Sequence, residues 1–598
     1  MLDLPWQWTL LAEIAPPPEP GIGTMVALII FIAASVWLGT LAQKVVSKGS
    51  FVKGFFLGNR GLGAWAVALT ATVQSGGTFM GFPSLVYSHG WIVALWIGSY
   101  MVVPITGFGI VGKRIAQISR QTGAITMPDL FRERFKSPTL GLVTSLLIIL
   151  FMTLMMFAQF KSGALVMKLA WPGSSFLKLS DDVETEATAA PETKAGAKSA
   201  PAASGPAYWT GLVVFSLTVI GYTLIGGFLA AVWTDLFQSV MMFIGVLLLL
   251  GLSLYAAGGL ENANRKAVAN AQVAAEKAEA DAKAAAAKEA PEKRKPVYEA
   301  GPDAGAKYVY GPGFATDGRQ YLPLSLAISF FLFWPATGFA SPASVTRIMA
   351  CKDTATIRRS ILLLCVYNLG IYLPLICICM CARALLPALE SSQSDEVIPR
   401  MAIAMTEGIP GGTFISGLIL AAPFGAIMAT VSSYLVVISS GLVRDVYQRF
   451  VNPNASERDL KRMAQLGMIG VGVLAVLANI WPVQYLQALV VFSSGGAGAS
   501  FIVPCLMLCY WRRATAAGVL SAMLTGAGTM LTLYLIGFML GDPMIGPATK
   551  LRPYFLYGLE PMMWGILCSA TVGVIVTYCT QPPPAEHVSV LFDAEPAK

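Results

Sequence analysis

Apolar residues arrive along this chain in runs of about twenty, separated by short polar or basic stretches. About 20 mainly apolar residues, rising 1.5 Å each, cross the roughly 30 Å hydrocarbon core of a bilayer. Thirteen runs of that size lie near 21–43, 64–88, 91–112, 138–160, 208–225, 229–257, 321–346, 360–386, 413–440, 464–481, 484–510, 514–540 and 556–579. The pattern predicts an all-α polytopic membrane protein with about 13 transmembrane helices.

Two polar insertions interrupt the runs. The first, at 171–206, is rich in Ala, Thr, Pro and Ser and reads as a disordered segment. The second, at 258–319, contains NANRKAVANAQVAAEKAEADAKAAAAKEA. These are strong helix formers with little apolar stripe, which predicts a solvent-exposed helix.

Composition narrows the class. Of 598 residues, 55% are apolar and 12% charged, and the mean hydropathy is +0.65. A soluble domain carries about a quarter charged residues, so most of this chain belongs in lipid. The nine cysteines all fall in or beside apolar runs, which argues against a disulfide framework. With only His89 and His587 present, histidine-based catalysis and His-ligated metal centres are excluded, and no enzyme is expected.

The net charge of +8 is a topology signal rather than a nucleic-acid footprint. Lys44, Lys48, Lys53 and Arg60 follow the first run, and Lys113, Arg114, Arg120, Arg132, Arg134 and Lys136 follow the third. Arg347, Lys352, Arg358 and Arg359 follow the seventh, Arg444, Arg449, Arg458, Lys461 and Arg462 the ninth, and Arg512 and Arg513 the eleventh. Short loops rich in Lys and Arg stay cytoplasmic. The expectation is an N-terminus outside, a C-terminus inside, and residence as a multi-pass protein of a bacterial inner membrane. The partners expected are the bilayer and a small solute, with no obligate protein partner.

Ionisable groups within a span are expensive and therefore candidates for function. Among the acids, only Asp235 sits well inside an apolar run, GGFLAAVWTDLFQSVMMFIG; the competing reading is a Thr234–Asp235 helix cap. Lys161 lies near a helix end, where its stem can snorkel outward. In the second run, ALTATVQSGGTFMGFPSLVY, Ser75, Gly76, Gly77 and Thr78 interrupt the apolar pattern. Adjacent glycines are poor helix formers, and an unwound turn at membrane depth is tolerated only when buried in protein or lining a cavity. Its carbonyls and hydroxyls suit a hard cation, and the half-helix ends suit a solute. The alternative is that the glycines only permit close packing. Trp334 and Pro335 in FFLFWPATGFASP predict a second break, in the seventh run. In the ninth, Thr430, Ser432 and Ser433 place three hydroxyls within one turn; such groups ordinarily bond back to their own helix. Cys377, Cys379 and Cys381 point to different sides of a helix and read as packing.

Five segments together resemble the sodium:solute symporter family: FFLGNRGLGAWAVALTATVQSGGTFMGFPSLVYSHG at 55–90, GYTLIGGFLAAVWTDLFQ at 221–238, SPASVTRIMACKD at 341–353, LAAPFGAIMATVSSYLVVISSGLVRDVYQ at 420–448 and YWRRATAAGVLSAM at 510–523. The resemblance implies thirteen helices with an inverted-repeat, LeuT-like core of five plus five. On that plan residues 1–63 hold the first helix and a basic loop, 64–257 the first repeat, 258–319 the outer insertion, 320–511 the second repeat, 512–580 the last two helices and 581–598 a tail.

The resemblance further implies one transported sodium ion on the carbonyls of Ala71, Gln74 and Ala426 and hydroxyls at 429 and 430. Thr430 keeps its oxygen, whereas Ala429 stands where family members commonly have Ser. A second sodium would take Asp235, Ser432 and Ser433, and the solute would sit on Ser75, Gly76, Thr78, Trp334 and Thr337. No organic cofactor is implied. FFLGNRGLG, ALTAT and LAAPFGAIMAT look most like the branch that carries pantothenate. Proton-coupled or sodium-independent transport of a sugar or amino acid, or a membrane sensor, are the competing functions.

Overall fold

The computed structural model describes residues 20–46, 62–71, 75–93, 96, 98–171, 205–287, 305–311, 323–338, 341–387, 389, 391–480, 482, 486–540 and 551–593. Twelve helical stretches among them are long and apolar enough to cross a membrane. The helices are α1 (Ile22–Val46), α2 (Ala64–Ala71), α3 (Phe82–His89), α4 (Gly112–Thr122), α5 (Met127–Phe135), α6 (Pro138–Ala170), α7 (Pro206–Ala257), α8 (Leu260–Ala287) and α9 (Leu324–Gly338). After these come α10 (Pro342–Ala350), α11 (Thr354–Leu385), α12 (Val397–Ala404), α13 (Gly412–Ser440), α14 (Glu457–Ala478), α15 (Leu486–Tyr510), α16 (Ala516–Leu540), α17 (Pro561–Cys579) and α18 (Ala585–Phe592).

The thirteenth expected span, 64–88, is the one divided between α2 and α3, joined by a π-helical turn at Gly77–Gly81. The helix resumes at Gly76, so the interruption lies between Ala71 and Ser75, just ahead of the expected Ser75–Thr78 turn, and residues 72–74 lie outside the described residues. The third span is displaced, running over Ser99–Thr122 through 3-10 and π turns rather than over 91–112.

α7 is a helical run of 52 residues, more than twice a bilayer crossing. Phe215 stacks edge-on to Phe424 with centroids 5.6 Å apart, while Gly245 packs on Ala422. A straight helix would hold positions 30 residues apart at about 45 Å, so the two halves fold back on one another. They supply the fifth and sixth spans, 206–224 and 231–257.

α13 and α15 are the central helices, with 83% and 89% of their apolar windows buried against 28–56% for the other spans. Their sequences explain this. Runs such as AAPFGAIMA and SSGGAGAS present small side chains on every face, so neighbouring backbones approach closely without exposing polar surface. Both broken spans converge on them. Leu62, ahead of α2, and Cys351, after α10, form a parallel bridge, with Leu62 N donating to Ala350 O at 3.3 Å and Lys352 N to Leu62 O at 3.2 Å. The bridge ties the start of the first broken span to the end of the second.

The second break is displaced by one turn from its expected place. α9 continues through Trp334 and Pro335 to Gly338, and α10 starts after Ser341, whose backbone is extended. The Pro335 carbonyl, in the last turn of α9, accepts the Thr106 hydroxyl at 2.8 Å.

The insertion helix α8 forms as expected but is not free in solvent. Ala263, Ala267 and Ala271, spaced at four residues, are buried. Asn270 donates to Ala384 O at 3.2 Å, and Trp91 donates its indole N–H to Asn264 at 3.1 Å. The alanine stripe replaces the missing large apolar one. Gly90, at φ 71°, permits the close approach here, since a Cβ would collide with the Tyr308 backbone. Most of the first insertion lies outside the described residues.

Candidate solute and ion site

The break between α2 and α3 leaves backbone donors without helical partners, and buried donors must be satisfied in hydrocarbon. Gly76 N donates to Oε1 of Gln159 on α6 at 2.8 Å, and Gly77 N donates to Ser75 Oγ at 3.1 Å. Ser75 N donates to Thr78 Oγ1 at 3.3 Å. A side chain on Gly76 would collide with Ser162, so the glycine lets α6 close against the break. The packing reading therefore holds for Gly76, while the backbone at Gly76 and Gly77 is helical rather than unwound.

Thr78 Oγ1 is 3.2 Å from the Tyr372 hydroxyl of α11. Tyr372 stacks on Tyr100 at 4.3 Å, and Tyr100 stacks on Trp334 at 4.4 Å. Three aromatic rings thus connect the first break to the second, making a continuous apolar wall with polar tips beside Ser75, Gly76 and Thr78. Thr337 lies apart from that wall. Its hydroxyl bonds back to Trp334 O at 3.0 Å and its methyl packs towards Gly498 of α15.

On α13, Thr430 donates to Ala426 O at 2.9 Å, bringing two of the expected sodium ligands together. Ala71 is the last residue of α2, and Gln74 lies outside the described residues. Ala429 is buried, and its carbonyl accepts the Ser432 hydroxyl at 3.0 Å.

One turn further, Asp235, Ser432 and Ser433 converge as expected. Ser432 Oγ lies 3.4 Å from Asp235 Oδ1, and Ser433 Oγ 3.4 Å from Oδ2. Asp235 is no helix cap, because it sits in the interior of α7. Arg347 joins them: its Nη2 is 2.8 Å from Asp235 Oδ2 and 2.7 Å from Ser433 Oγ, and its Nε donates to Thr70 at 3.1 Å. The reading of Arg347 as a loop charge is corrected here, since only 2% of the residue is exposed. Two buried charges neutralise one another, and hydroxyls satisfy their remaining positions. Oδ2 is occupied by the guanidinium, whereas among the described residues Oδ1 receives only the long Ser432 contact. A cavity of about 10 Å³, lined by Ala231, Thr346, Arg347, Ser433 and Val436 among others, adjoins the pair; that is room for about one water.

A second correction concerns Lys161, which does not snorkel. Its Nζ is 2.8 Å from Asp395, with both side chains nearly fully buried. Beside it, Lys168 and Arg400 both reach Glu396, at 3.3 and 2.6 Å. Ser84 donates to Ser394 at 2.6 Å, and α12 is buried at Val397, Ile398, Met401 and Ala402. The segment 391–404 therefore caps the site on the side opposite the basic loops. Gln159, Tyr100, Tyr372 and Arg347 were not singled out by the sequence. Only Arg347 carried a signal: it follows SPASVT with no polar spacer.

Similarity to known proteins extends over most of the chain. The family model described as the Sodium:solute symporter family matches residues 55–174 and 189–526. The chain is 28% identical to the sodium/pantothenate symporter of Haemophilus influenzae over 556 residues, covering 91% of this chain and 96% of that protein. It is 27% identical to the sodium/pantothenate symporter of Escherichia coli, covering 83% and 88%. The osmoregulated proline transporter OpuE of Bacillus subtilis is 25% identical, covering 94% and 96%. A substrate-bound, outward-open Na+-coupled sialic acid symporter shares the fold, with a TM-score of 0.63, 18% identity and coverage of 94% and 98%.

Proposed function

This chain belongs to the sodium:solute symporter family, and from that premise we propose that it imports a small organic carboxylate of the pantothenate type, driven by sodium. The observation that carries this reading is the meeting of the α2–α3 break with the Tyr372–Tyr100–Trp334 stack. The aromatic wall takes the apolar part of a solute, and the amides and hydroxyls at Ser75–Thr78 take its polar end. A half-helix N-terminus carries a partial positive charge that favours a carboxylate.

Sodium binds, on this reading, between the end of α2 and the Ala426–Thr430 turn of α13. Thr430 then rotates its hydroxyl from the Ala426 carbonyl so that both oxygens face the ion. A second ion takes Oδ1 of Asp235 with Ser432, sharing the carboxylate with Arg347. The first sodium holds the broken α2–α3 span against α13 and the second holds α7 there, and release on the cytoplasmic side lets the spans separate again.

The driving force sets what the second ion is for. One charge crossing 100 mV provides about 2.3 kcal/mol, and a tenfold gradient about 1.4 kcal/mol. For a monovalent anion, one sodium makes transport electroneutral and leaves about tenfold accumulation. Two ions restore the electrical term.

Uptake of radiolabelled pantothenate into proteoliposomes, with an inward sodium gradient and with choline in its place, tests the proposal. Accumulation in sodium alone is expected. Uptake unaltered by the swap would refute sodium coupling and favour the sodium-independent reading that Ala429 motivates. Sodium-driven uptake of proline but not pantothenate would refute the substrate class.

A further inference from the structure

One cavity lies away from mid-membrane. It holds about 430 Å³ and lies where α4 meets the end of α15 and the C-terminal helix α18, lined by Gly109, Ile110, Lys113, Arg114, Gln117, Gln121, Tyr510 and Phe592. At about 30 Å³ per water, it has room for more than ten waters.

Its charge is one-sided. Arg114 donates from Nε to Cys509 O at 3.1 Å and from Nη1 to Gln117 at 3.2 Å, but its buried Nη2 has no partner among the described residues. Next to it Arg134 is fully buried, and both its Nε and Nη1 lack partners among the described residues. Arg114, Arg134 and Arg512 all lie over the Phe592 ring, at 4.7, 5.2 and 5.4 Å from its centroid. Arg512 is paired with Asp593. Among the described residues, no carboxylate lies within ion-pair distance of Lys113, Arg114 or Arg134. Burial, with the neighbouring Arg114 guanidinium, brings the Arg134 pKa down to about 10. Uncompensated buried cations are unfavourable, and an anion in the cavity would relieve them.

The rim is apolar on one side. Ile105 and Ile110 are 55% and 42% exposed and Tyr510 is 50% exposed, whereas Lys113, Gln117 and Gln121 follow on the next turns of α4. This edge marks the boundary where two spans, Ser99–Thr122 and Leu486–Tyr510, leave the apolar region on the basic-loop face. A soluble anion would need no such apolar border. A lipid would place its phosphate among the cations and its chains along Ile105 and Ile110. Basic pockets between spans on the cytoplasmic side are a recurrent solution for anionic headgroups.

We propose that this cavity is a binding site for one anionic phospholipid of the cytoplasmic leaflet, its phosphodiester held by Lys113 and Arg114. The lipid would bridge α4, α15 and α18. The Tyr510 hydroxyl already bonds to Ile110 O, and His587 of α18 lies 3.0 Å from Arg134 O. The lipid would fix the tail helix beneath the bundle.

The test uses the full chain in nanodiscs of phosphatidylcholine with or without phosphatidylglycerol, with lipid retention read by native mass spectrometry and unfolding by a thermal melt. The wild type should retain one phosphatidylglycerol and melt higher in its presence. Retention should fall at least about tenfold, or about 1.4 kcal/mol, in Lys113→Gln/Arg114→Gln. Should that double variant fail to fold, Gln117→Glu, which adds a negative charge at the cavity wall, should lower retention while leaving uptake in pure phosphatidylcholine intact. Equal retention of both lipids, or retention unaffected by the variants, overturns the proposal. So does an equal rise in melting temperature from inorganic phosphate without phosphatidylglycerol, which would make this a site for a soluble anion.

Discussion

Replacing Arg347 with Met removes the cation that faces Asp235 while keeping most of the side-chain volume. The pair is 2.8 Å apart, with side chains 3% and 2% exposed. Taking one partner from a buried pair costs about 3–5 kcal/mol, because a charge is left without compensation. The same substitution also removes the donor to Ser433 and to Thr70. Asp235→Asn strands the guanidinium and should cost a similar amount. The double variant removes both charges, so its loss should not exceed that of the larger single variant, giving a coupling of at least about 3 kcal/mol. Denaturant titration of purified protein in mixed micelles measures these differences. In Arg347→Met the lone carboxylate gains affinity for sodium, so the variant should be stabilised by sodium over choline, by about 1.4 kcal/mol per tenfold excess over Kd. Single losses under about 1 kcal/mol that simply add would refute the buried-pair argument. A sodium response in Arg347→Met no larger than in wild type would refute the shared use of Asp235.

Thr430→Ala should raise the sodium concentration for half-maximal uptake by about tenfold, as expected for a lost ligand oxygen worth about 1.4 kcal/mol; unchanged sodium dependence would remove Thr430 from the site. Tyr372→Phe deletes the hydroxyl next to Thr78 but keeps the stack, and at about 1 kcal/mol per hydrogen bond should raise the uptake KM about fivefold without altering the melt. Lys161→Met strands Asp395 and should destabilise the protein by about 3–5 kcal/mol, with Lys161→Met/Asp395→Asn recovering much of it. Gly76→Ala should abolish uptake, because Ser162 leaves no space for a Cβ; full transport in this variant would mean that α6 does not close on the break.

The spans, the break just ahead of Ser75–Thr78 and the hydroxyl turn on α13 were legible because each follows from local physics. A helix must satisfy its own backbone in lipid, so length and apolarity are enough to mark one. Two adjacent glycines among apolar residues mark where the ladder weakens. The doubling back of α7, by contrast, reads only as two apolar runs with a Gly226–Gly227 junction, and its direction is given by α13.

Partner choice among buried polar groups belongs to the tertiary structure. Arg347, Lys161 and Gln159 look like a loop charge, a snorkelling stem and an isolated amide, yet each answers a buried group at least 83 residues away along the chain. The second break lies past Pro335, where Thr106, on another span, bonds to a carbonyl of the last turn of α9. By itself the sequence determined which segments enter the membrane and where one of them unwinds. Which charges meet there was decided by the assembled bundle, because in a low-dielectric interior every polar group needs a partner and only the fold brings one within reach.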